Sequence, residues 1–302
     1  MQLTILGNNS ALPNHNRFPT AQVLSVGNEL LLIDCGEGTQ MRLLINNVRY
    51  SRITKIFISH LHGDHYFGLI GLLTRYCLNN RTEPIDLYGP APLIDIIHLQ
   101  LNVASSKLTY ELRFHPLKDI GTSRMICEQP NLKVTAFPTE HRIECYGFVF
   151  EEKFEERKLN IEEAERSGIP VEWYARIKKG EDYTDHTGRI TPNELLTFPA
   201  PQSKRYVFAA DTRYTETFIP VILDCDLLYH ETTYLMDHQE LAYSRYHSTT
   251  RDAACIAKLA RTRQLIIGHF SSKYPNLQDF LLEANQFFPK TLLSFEGMKI
   301  DI

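Results

Sequence analysis

Residues 59–65 read Ser-His-Leu-His-Gly-Asp-His, so His60, His62, Asp64 and His65 fall within six consecutive positions. Ahead of them, Ile53-Thr54-Lys55-Ile56-Phe57-Ile58 is β-branched and apolar and predicts a buried strand. Behind them, Tyr66 to Leu73 is apolar and predicts the start of a buried helix. The cluster therefore sits on a turn where a strand ends and a helix begins. In an extended run His60 and His62 point to one side, whereas Asp64 and His65, where the chain turns, face a second point nearby. One rigid segment that offers a ligand pair to each of two points is what a two-metal site needs. Imidazole suits zinc, and a carboxylate can ligate while also holding a nucleophilic water. A histidine-rich surface loop explains neither the strand end nor the further candidates downstream. A single zinc site leaves one pair of ligands unexplained.

Composition narrows the setting. The chain of 302 residues is long enough for one large domain or two small ones, with a sizeable core. The net charge of −4 gives no sign of a generally basic nucleic-acid binder, so a polyanion would be held by a local patch or by metals. The six cysteines, at 35, 77, 127, 145, 225 and 255, include no C-x-x-C pair, which points to reduced thiols and a cytoplasmic location. The start Met1-Gln2-Leu3-Thr4-Ile5-Leu6 carries no signal-peptide features, and no apolar run is long enough for a membrane span, so no membrane partner is expected.

Along the chain, strands are expected at Gln2–Leu6, Ala21–Val26 and Leu30–Ile33, the last two joined by the hairpin signal Gly27-Asn28. Asp34-Cys35-Gly36-Glu37-Gly38-Thr39-Gln40 follows, and Gln40–Asn46 looks helical. Asp34 reads either as a helix cap or as a carboxylate that accepts the outer N–H of a ligand histidine and fixes its tautomer. Further strands are expected at Ile85–Tyr88, Leu112–His115, Leu132–Phe137 and Cys145–Phe150, with a helix from Pro92 to about Ala104. His141 lies in the loop between the last two strands. Alone it reads as a surface histidine; beside the Asp64 cluster it becomes a natural extra ligand.

Segment 151–205 changes character. It opens Glu151-Glu152-Lys153-Phe154-Glu155-Glu156-Arg157-Lys158, offers one helix-like stretch near Ile161–Ser167 and contains few residues that could build a core. It reads as an arm inserted into a single domain spanning 1–302, either a solvated irregular loop or a substrate-gripping element in which Arg176, Lys178 and Lys179 meet phosphates. Beyond it, strands at Tyr206–Ala210, Cys225–Tyr229 and Leu265–Gly268 run into Asp211, Glu231 and His269, and His247 precedes a helix at Arg251–Ala260 capped by a hydroxyl residue. Strand ends deliver Asp34, His60, His141, Asp211, Glu231 and His269 in turn, and a sheet fixes the positions of groups placed this way.

The ligand types share out into two sets. His60, His62 and His141 would hold one zinc, Asp64, His65 and His269 the other, and Asp211 would bridge them. Two cations about 3.5–4 Å apart lower the pKa of a shared water and neutralise charge on an attacked phosphodiester. Asp64 can also orient that water and accept its proton. The leaving oxygen needs a proton in turn. His247 is the candidate acid, with Glu231 orienting and polarising it, although spacing alone also allows an exposed helix-start histidine and an ordinary surface carboxylate.

These residues resemble a known family. His60-x-His62-x-Asp64-His65 is similar to the signature of the metallo-β-lactamase superfamily. Within it, Asp34-Cys35-Gly36-Glu37-Gly38-Thr39-Gln40, His230-Glu231-Thr232-Thr233, His247-Ser248-Thr249, Gly268-His269-Phe270-Ser271 and the arm ahead of Asp211 resemble ribonuclease Z, the tRNA 3′-processing endonucleases. The resemblance spans nearly the whole chain. It implies an α/β fold, the αββα four-layer sandwich with an inserted projecting arm, and two zinc ions per subunit. It implies a homodimer in which one subunit's arm grips the precursor tRNA cut by the other. It implies cleavage that leaves a 3′-hydroxyl on the tRNA and a 5′-phosphate on the trailer. It carries metal-ligand roles to His60, His62, Asp64, His65, His141, Asp211 and His269, proton acceptance to Asp64 and the acid pair to His247 and Glu231. Lys273 stands where the family commonly has arginine and is expected at substrate phosphate without a bidentate grip. In the arm, Gly168-Ile169-Pro170 and Ile177-Lys178-Lys179-Gly180-Glu181 match, while a second Gly-Pro is missing. The alternative within the fold is a phosphodiesterase acting on another RNA or on a small phosphodiester.

Overall fold

A computed structural model describes residues 1–153, 156–200 and 202–302. Two seven-stranded sheets face one another. In the first, Lys299–Asp301, Gln2–Gly7, Ala21–Val26 and Glu29–Ile33 pair antiparallel, and Ile53–Phe57, Ile85–Pro90 and Leu112–Leu117 continue parallel. In the second, Thr291–Leu293, Leu265–Gly268, Leu227–Glu231 and Arg205–Ala209 are parallel, and Tyr146–Glu152, Leu132–Pro138 and Arg124–Gln129 follow antiparallel.

Strand alternation builds the layers, because successive side chains leave opposite faces. Leu31 and Ile33 point into the space between the sheets with Phe57, Phe148, Phe150, Tyr206 and Phe208. Leu32 points outward and packs with Leu43, Leu69, Leu72, Leu73 and Ile97 of the flanking helices. On the second sheet Val207 and Ala209 point outward against Ala253, Ala254, Ala257 and Phe280. The result is helix, sheet, sheet, helix, the expected four layers. The two-residue hairpin at Gly27-Asn28 is present, with Val26 opposite Glu29. Helix Thr250–Leu259 starts with a capping box in which Thr249 and Asp252 satisfy each other's backbone N–H. All six cysteines are free, and among the described residues no helix is long and apolar enough to cross a membrane.

Three local expectations need correction. The strand Arg124–Gln129, an edge strand, was not anticipated because its apolar positions are few and its outer face is exposed. The apolar run after the histidine cluster is two helices, Gly63–Tyr66 and Leu69–Leu78, rather than one. Gly68 marks the break: a Cβ there would meet the Gly36 carbonyl oxygen at 2.2 Å. The loop after Asp34 is laid directly on this turn, with Cys35 N–H donating to His65 O at 2.7 Å and Gly68 N–H to Cys35 O at 2.8 Å. Only glycine allows two backbones so close.

The third correction concerns the arm. Strand Tyr146–Glu152 runs into it and strand Arg205–Ala209 leaves it. Between them the segment folds around a core of its own, in which Leu159, Ala164, Ile169, Ile177 and Leu196 are buried beneath Trp173, Tyr174 and Tyr183. Helices Ile161–Arg166 and Tyr174–Lys178 and two short ribbons, Lys158–Leu159 with Thr197–Phe198 and Tyr183–Thr184 with Ile190–Thr191, enclose it. The apolar residues are spread over some forty positions by sequence, so no window carries a periodic signal. Of the charged opening, Phe154 and Glu155 lie outside the described residues.

Candidate active site

The parallel strands bring their C-terminal ends to one edge, the usual place for a site in an α/β sheet. Asp34, directly after Ile33, adopts φ 55° and hydrogen-bonds through its N–H to Phe57 O at 2.8 Å. Its side chain faces the end of the neighbouring strand. Oδ1 accepts Ser59 N–H at 2.7 Å, and Oδ2 accepts the Ser59 hydroxyl at 2.8 Å and His65 Nδ1 at 2.6 Å. It caps no helix: the N-cap of Thr39–Ile45 is Gly38. Of the two sequence readings of Asp34, the structure places it against the outer nitrogen of His65.

His60, His62, His141 and Asp211 offer nitrogen and oxygen atoms within 4.8 Å of one another, and so do Asp64, His65 and His269. Asp211 stands between the sets. Its Oδ2 lies 3.6 Å from His60 Nε2 and 3.8 Å from His141 Nε2, and its Oδ1 lies 3.5 Å from His65 Nε2 and 3.2 Å from His269 Nε2. One carboxylate thus presents one oxygen to each triad. Asp64 Oδ2 sits 3.4 Å from His269 Nε2 and accepts Ala11 N–H at 2.7 Å, so the first loop helps hold it.

Outer hydrogen bonds decide which imidazole nitrogen faces inward. His141 Nδ1 donates to the Tyr246 carbonyl at 3.0 Å. The Ser59 hydroxyl spends its proton on Asp34, so it accepts from His60 Nδ1 at 3.0 Å. The Thr233 hydroxyl donates to Glu231 Oε2 at 2.8 Å and accepts from His269 Nδ1 at 2.9 Å. With Nδ1 protons fixed outside, the Nε2 atoms of His60, His141 and His269 carry their lone pairs into the site. His60 Nε2 and His141 Nε2 lie 3.0 and 3.1 Å from His62 Nδ1. With the lone pairs of His60 and His141 turned inward beside this nitrogen and the Asp211 carboxylate, a divalent cation with N/O ligands fits the donor set.

Electrostatics agree. Burial opposes charge on His65, but the carboxylates of Asp211, Asp34 and Asp64 outweigh it and hold its pKa well above the usual value. This point draws positive charge, which a proton or a metal ion can supply. Burial, with neighbouring imidazoles adding, pushes His60 well below its usual value, and burial and His141 take His62 down to about 4. Burial alone would raise Asp211 and Asp64; the imidazoles of His269 and His65 hold the first far down, and His65 with His269 the second.

Glu231 is fully buried at its strand end and has every lone pair engaged, accepting from Thr212 N–H, Thr233 N–H, the Thr233 hydroxyl and His247 Nδ1 at 2.9 Å. Burial works against a charged His247, yet the Glu231 carboxylate overrides it and raises the imidazole to about 9. With Nδ1 committed to Glu231, His247 Nε2 is the nitrogen left to act. His247, Asp64, His62 and Asp211 line one open cleft of about 320 Å³ together with Ser10, Phe67 and Arg142.

The remaining sequence candidates lie elsewhere. Lys273 is exposed and contacts His238 and the Tyr274 ring. Arg176, in the arm, pairs with Glu181 at 2.6 Å and stacks over Trp173 at 3.9 Å, so its guanidinium is already engaged. Lys178 is half-buried and Lys179 exposed, neither with an ion-pair partner among the described residues. Sequence reasoning missed Ser59, Thr233, Arg142 and the Tyr246 carbonyl. The first three adjoin or nearly adjoin a singled-out histidine or glutamate, a signal that was available. A backbone carbonyl leaves none.

The layered fold and the two converging triads define a metallo-β-lactamase-fold hydrolase. Chains named ribonuclease Z from Parabacteroides distasonis and Porphyromonas gingivalis are each 38% identical to it, over 99% of this chain and 98% of theirs. The short form of human tRNase Z superposes with TM-score 0.74 at 27% identity, covering 100% of this chain and 99% of that one, and the metallo-β-lactamase-fold protein YhfI from Bacillus subtilis with TM-score 0.69 at 19% identity, covering 99% and 98%. The chain belongs to the ribonuclease Z family and is an endoribonuclease. Its first half, residues 1–156, also matches the family described as anti-Pycsar protein Apyc1 and belongs to it; that match ends within the opening residues of the arm.

Proposed function

We propose that this chain is a zinc-dependent endoribonuclease that removes the 3′ trailer from precursor tRNA, leaving a 3′-hydroxyl on the tRNA and a 5′-phosphate on the trailer. The observation that carries the reading is the full-length similarity, arm included, to chains named ribonuclease Z and to human tRNase Z. His60, His62 and His141 would hold one zinc and Asp64, His65 and His269 the second, with Asp211 between the two sets. The chemistry such cations would supply there is a water of lowered pKa and screening of the phosphodiester charge. Asp64 accepts the proton of the attacking water. His247, kept protonated by Glu231, donates from Nε2 to the leaving 3′-oxygen in the same cleft. Asp34 sets the tautomer of His65. Lys178, Lys179 and Lys273 meet substrate phosphates, Arg176 supports the arm's surface by stacking on Trp173, and the arm, 151–205, serves the partner subunit's active site in a cytoplasmic homodimer.

Two outcomes follow from the positioning carboxylates. Asp34→Asn keeps a residue that tolerates left-handed backbone but removes the charge behind His65; zinc affinity should fall by about 10–100-fold, read by competition with a chromophoric chelator. Glu231→Gln removes the charge that holds His247 up. A protonated acid is present below its pKa and lost as pH rises through it. The alkaline fall of kcat should therefore move to lower pH in Glu231→Gln; an unmoved limb would separate Glu231 from the acid.

The deciding experiment incubates zinc-analysed protein with an end-labelled precursor tRNA carrying a 3′ trailer, with bis(p-nitrophenyl) phosphate alongside. Chelator-sensitive cut at the trailer junction is the expected result. Turnover of the small diester with the RNA left intact would favour the other reading, a phosphodiesterase with the same metal chemistry.

A further inference from the structure

Three loops of the site meet at one side chain that none of the roles above uses. Arg213 lies two residues beyond Asp211. Its guanidinium lies over two rings, 4.7 Å from the centroid of Tyr243 and 4.6 Å from that of Tyr246. Its outer nitrogen pairs with the Glu140 carboxylate, and its backbone N–H donates to Glu140 O at 3.0 Å. Glu140 directly precedes His141, and Tyr246 directly precedes His247. The guanidinium therefore touches the chain next to His141 and next to His247 while standing on the loop of Asp211.

Tyr246 matters through its carbonyl, which accepts His141 Nδ1 at 3.0 Å. Its φ is 59°, a left-handed conformation that a bulky aromatic residue holds only where its surroundings over-determine it. The ring's seat on the guanidinium is one such restraint. Hydrogen bonds close the same unit from the other side: Glu140 N–H donates to the Thr212 hydroxyl at 3.1 Å, and the Ser248 hydroxyl to Thr212 O at 2.7 Å. Arginine suits the position because its planar, delocalised cation stacks on aromatic faces while its edge still reaches a carboxylate.

We propose that Arg213 is a positioning residue for the metal centre: its guanidinium, stacked on Tyr246 and paired with Glu140, locks the Tyr246 carbonyl against His141, and so fixes which nitrogen of His141 faces a metal ion. The inference rests on reading His141 and Asp211 as metal ligands. Arg213 touches neither metal-facing atom, so its effect is exerted through Tyr246 and Glu140. Partners of this kind, one step behind a ligand, set affinity by holding the ligand's tautomer and direction.

The test uses the full chain stripped of metal and titrated with zinc ion against a chromophoric chelator. Arg213→Met removes charge and stacking at similar volume and should weaken zinc binding by about 10–100-fold. Arg213→Lys keeps the charge for Glu140 but not the planar stack and should recover part of that loss. In the metal-free protein, the Nδ1–H tautomer of His141, read by nitrogen-15 NMR, should give way to a mixture in Arg213→Met. Zinc affinity within twofold of wild type in a folded Arg213→Met overturns the clamp. Should that variant fail to fold, Tyr243→Ala removes one of the two rings on the guanidinium at a residue that is 59% exposed; weaker zinc binding at an unchanged metal-free melting temperature supports the clamp, and unchanged affinity overturns it. Wild-type protein that binds no zinc would remove the ligand reading itself, a different failure from variants that match a zinc-binding wild type.

Discussion

Asp64→Ala is expected to lower precursor-tRNA cleavage by about 10⁴-fold or more and to lower the zinc content of the purified protein as well. Two proposed functions meet in this carboxylate. Its Oδ2 lies 3.4 Å from His269 Nε2 and 3.7 Å from His65 Nε2, so it completes the second triad. It also lines the cleft, where an attacking water must give up a proton. Burial would raise its pKa, yet His65 and His269 hold it far below the ordinary range, which keeps the carboxylate ionised. Alanine removes ligand and acceptor together, and the Ala11 N–H loses its partner. Metal analysis and single-turnover cleavage, run on the same preparation, check both halves. Full zinc occupancy with lost activity would reduce Asp64 to the acceptor role.

His247→Ala should lower kcat by about 10²–10⁴-fold while zinc content stays at the wild-type level. His247 approaches Asp211 only at 3.9 Å, and its Nδ1 is committed to Glu231 at 2.9 Å. It is thus held by the outer network, with Nε2 turned to the cleft. The loss should shrink for a substrate whose leaving group needs no proton, so bis(p-nitrophenyl) phosphate should suffer far less than RNA. Equal losses on both substrates would mean that His247 binds or positions rather than protonates. Asp64→Ala and His247→Ala therefore separate two residues of one cleft by metal content and by leaving-group dependence.

Much of this site was legible because its groups come in short runs. His60, His62, Asp64 and His65 occupy one turn, and the turn follows a strand whose apolar pattern is plain. Glu231 ends a strand of the second sheet, His269 directly follows one and Asp211 stands two residues beyond another, so an expectation built on strand ends reached them. The arm was less legible. Its core, Leu159, Ala164, Ile169, Ile177 and Leu196, is assembled from positions too far apart for any window to register, and Arg176 gave no sign that Glu181 and Trp173 would engage it.

By itself the sequence determined which residue types were present, the strand-end pattern and hence the layered α/β class, since local alternation follows from backbone geometry alone. Only the tertiary structure decided the orientation of each ligand. Whether His141 turns Nε2 inward depends on a carbonyl 105 residues away, and His269 on a hydroxyl 36 residues away. The split of the Asp211 oxygens depends on the two sheets being packed face to face. Hydrogen-bond direction is a property of partners brought together by packing, and no spacing along the chain encodes it.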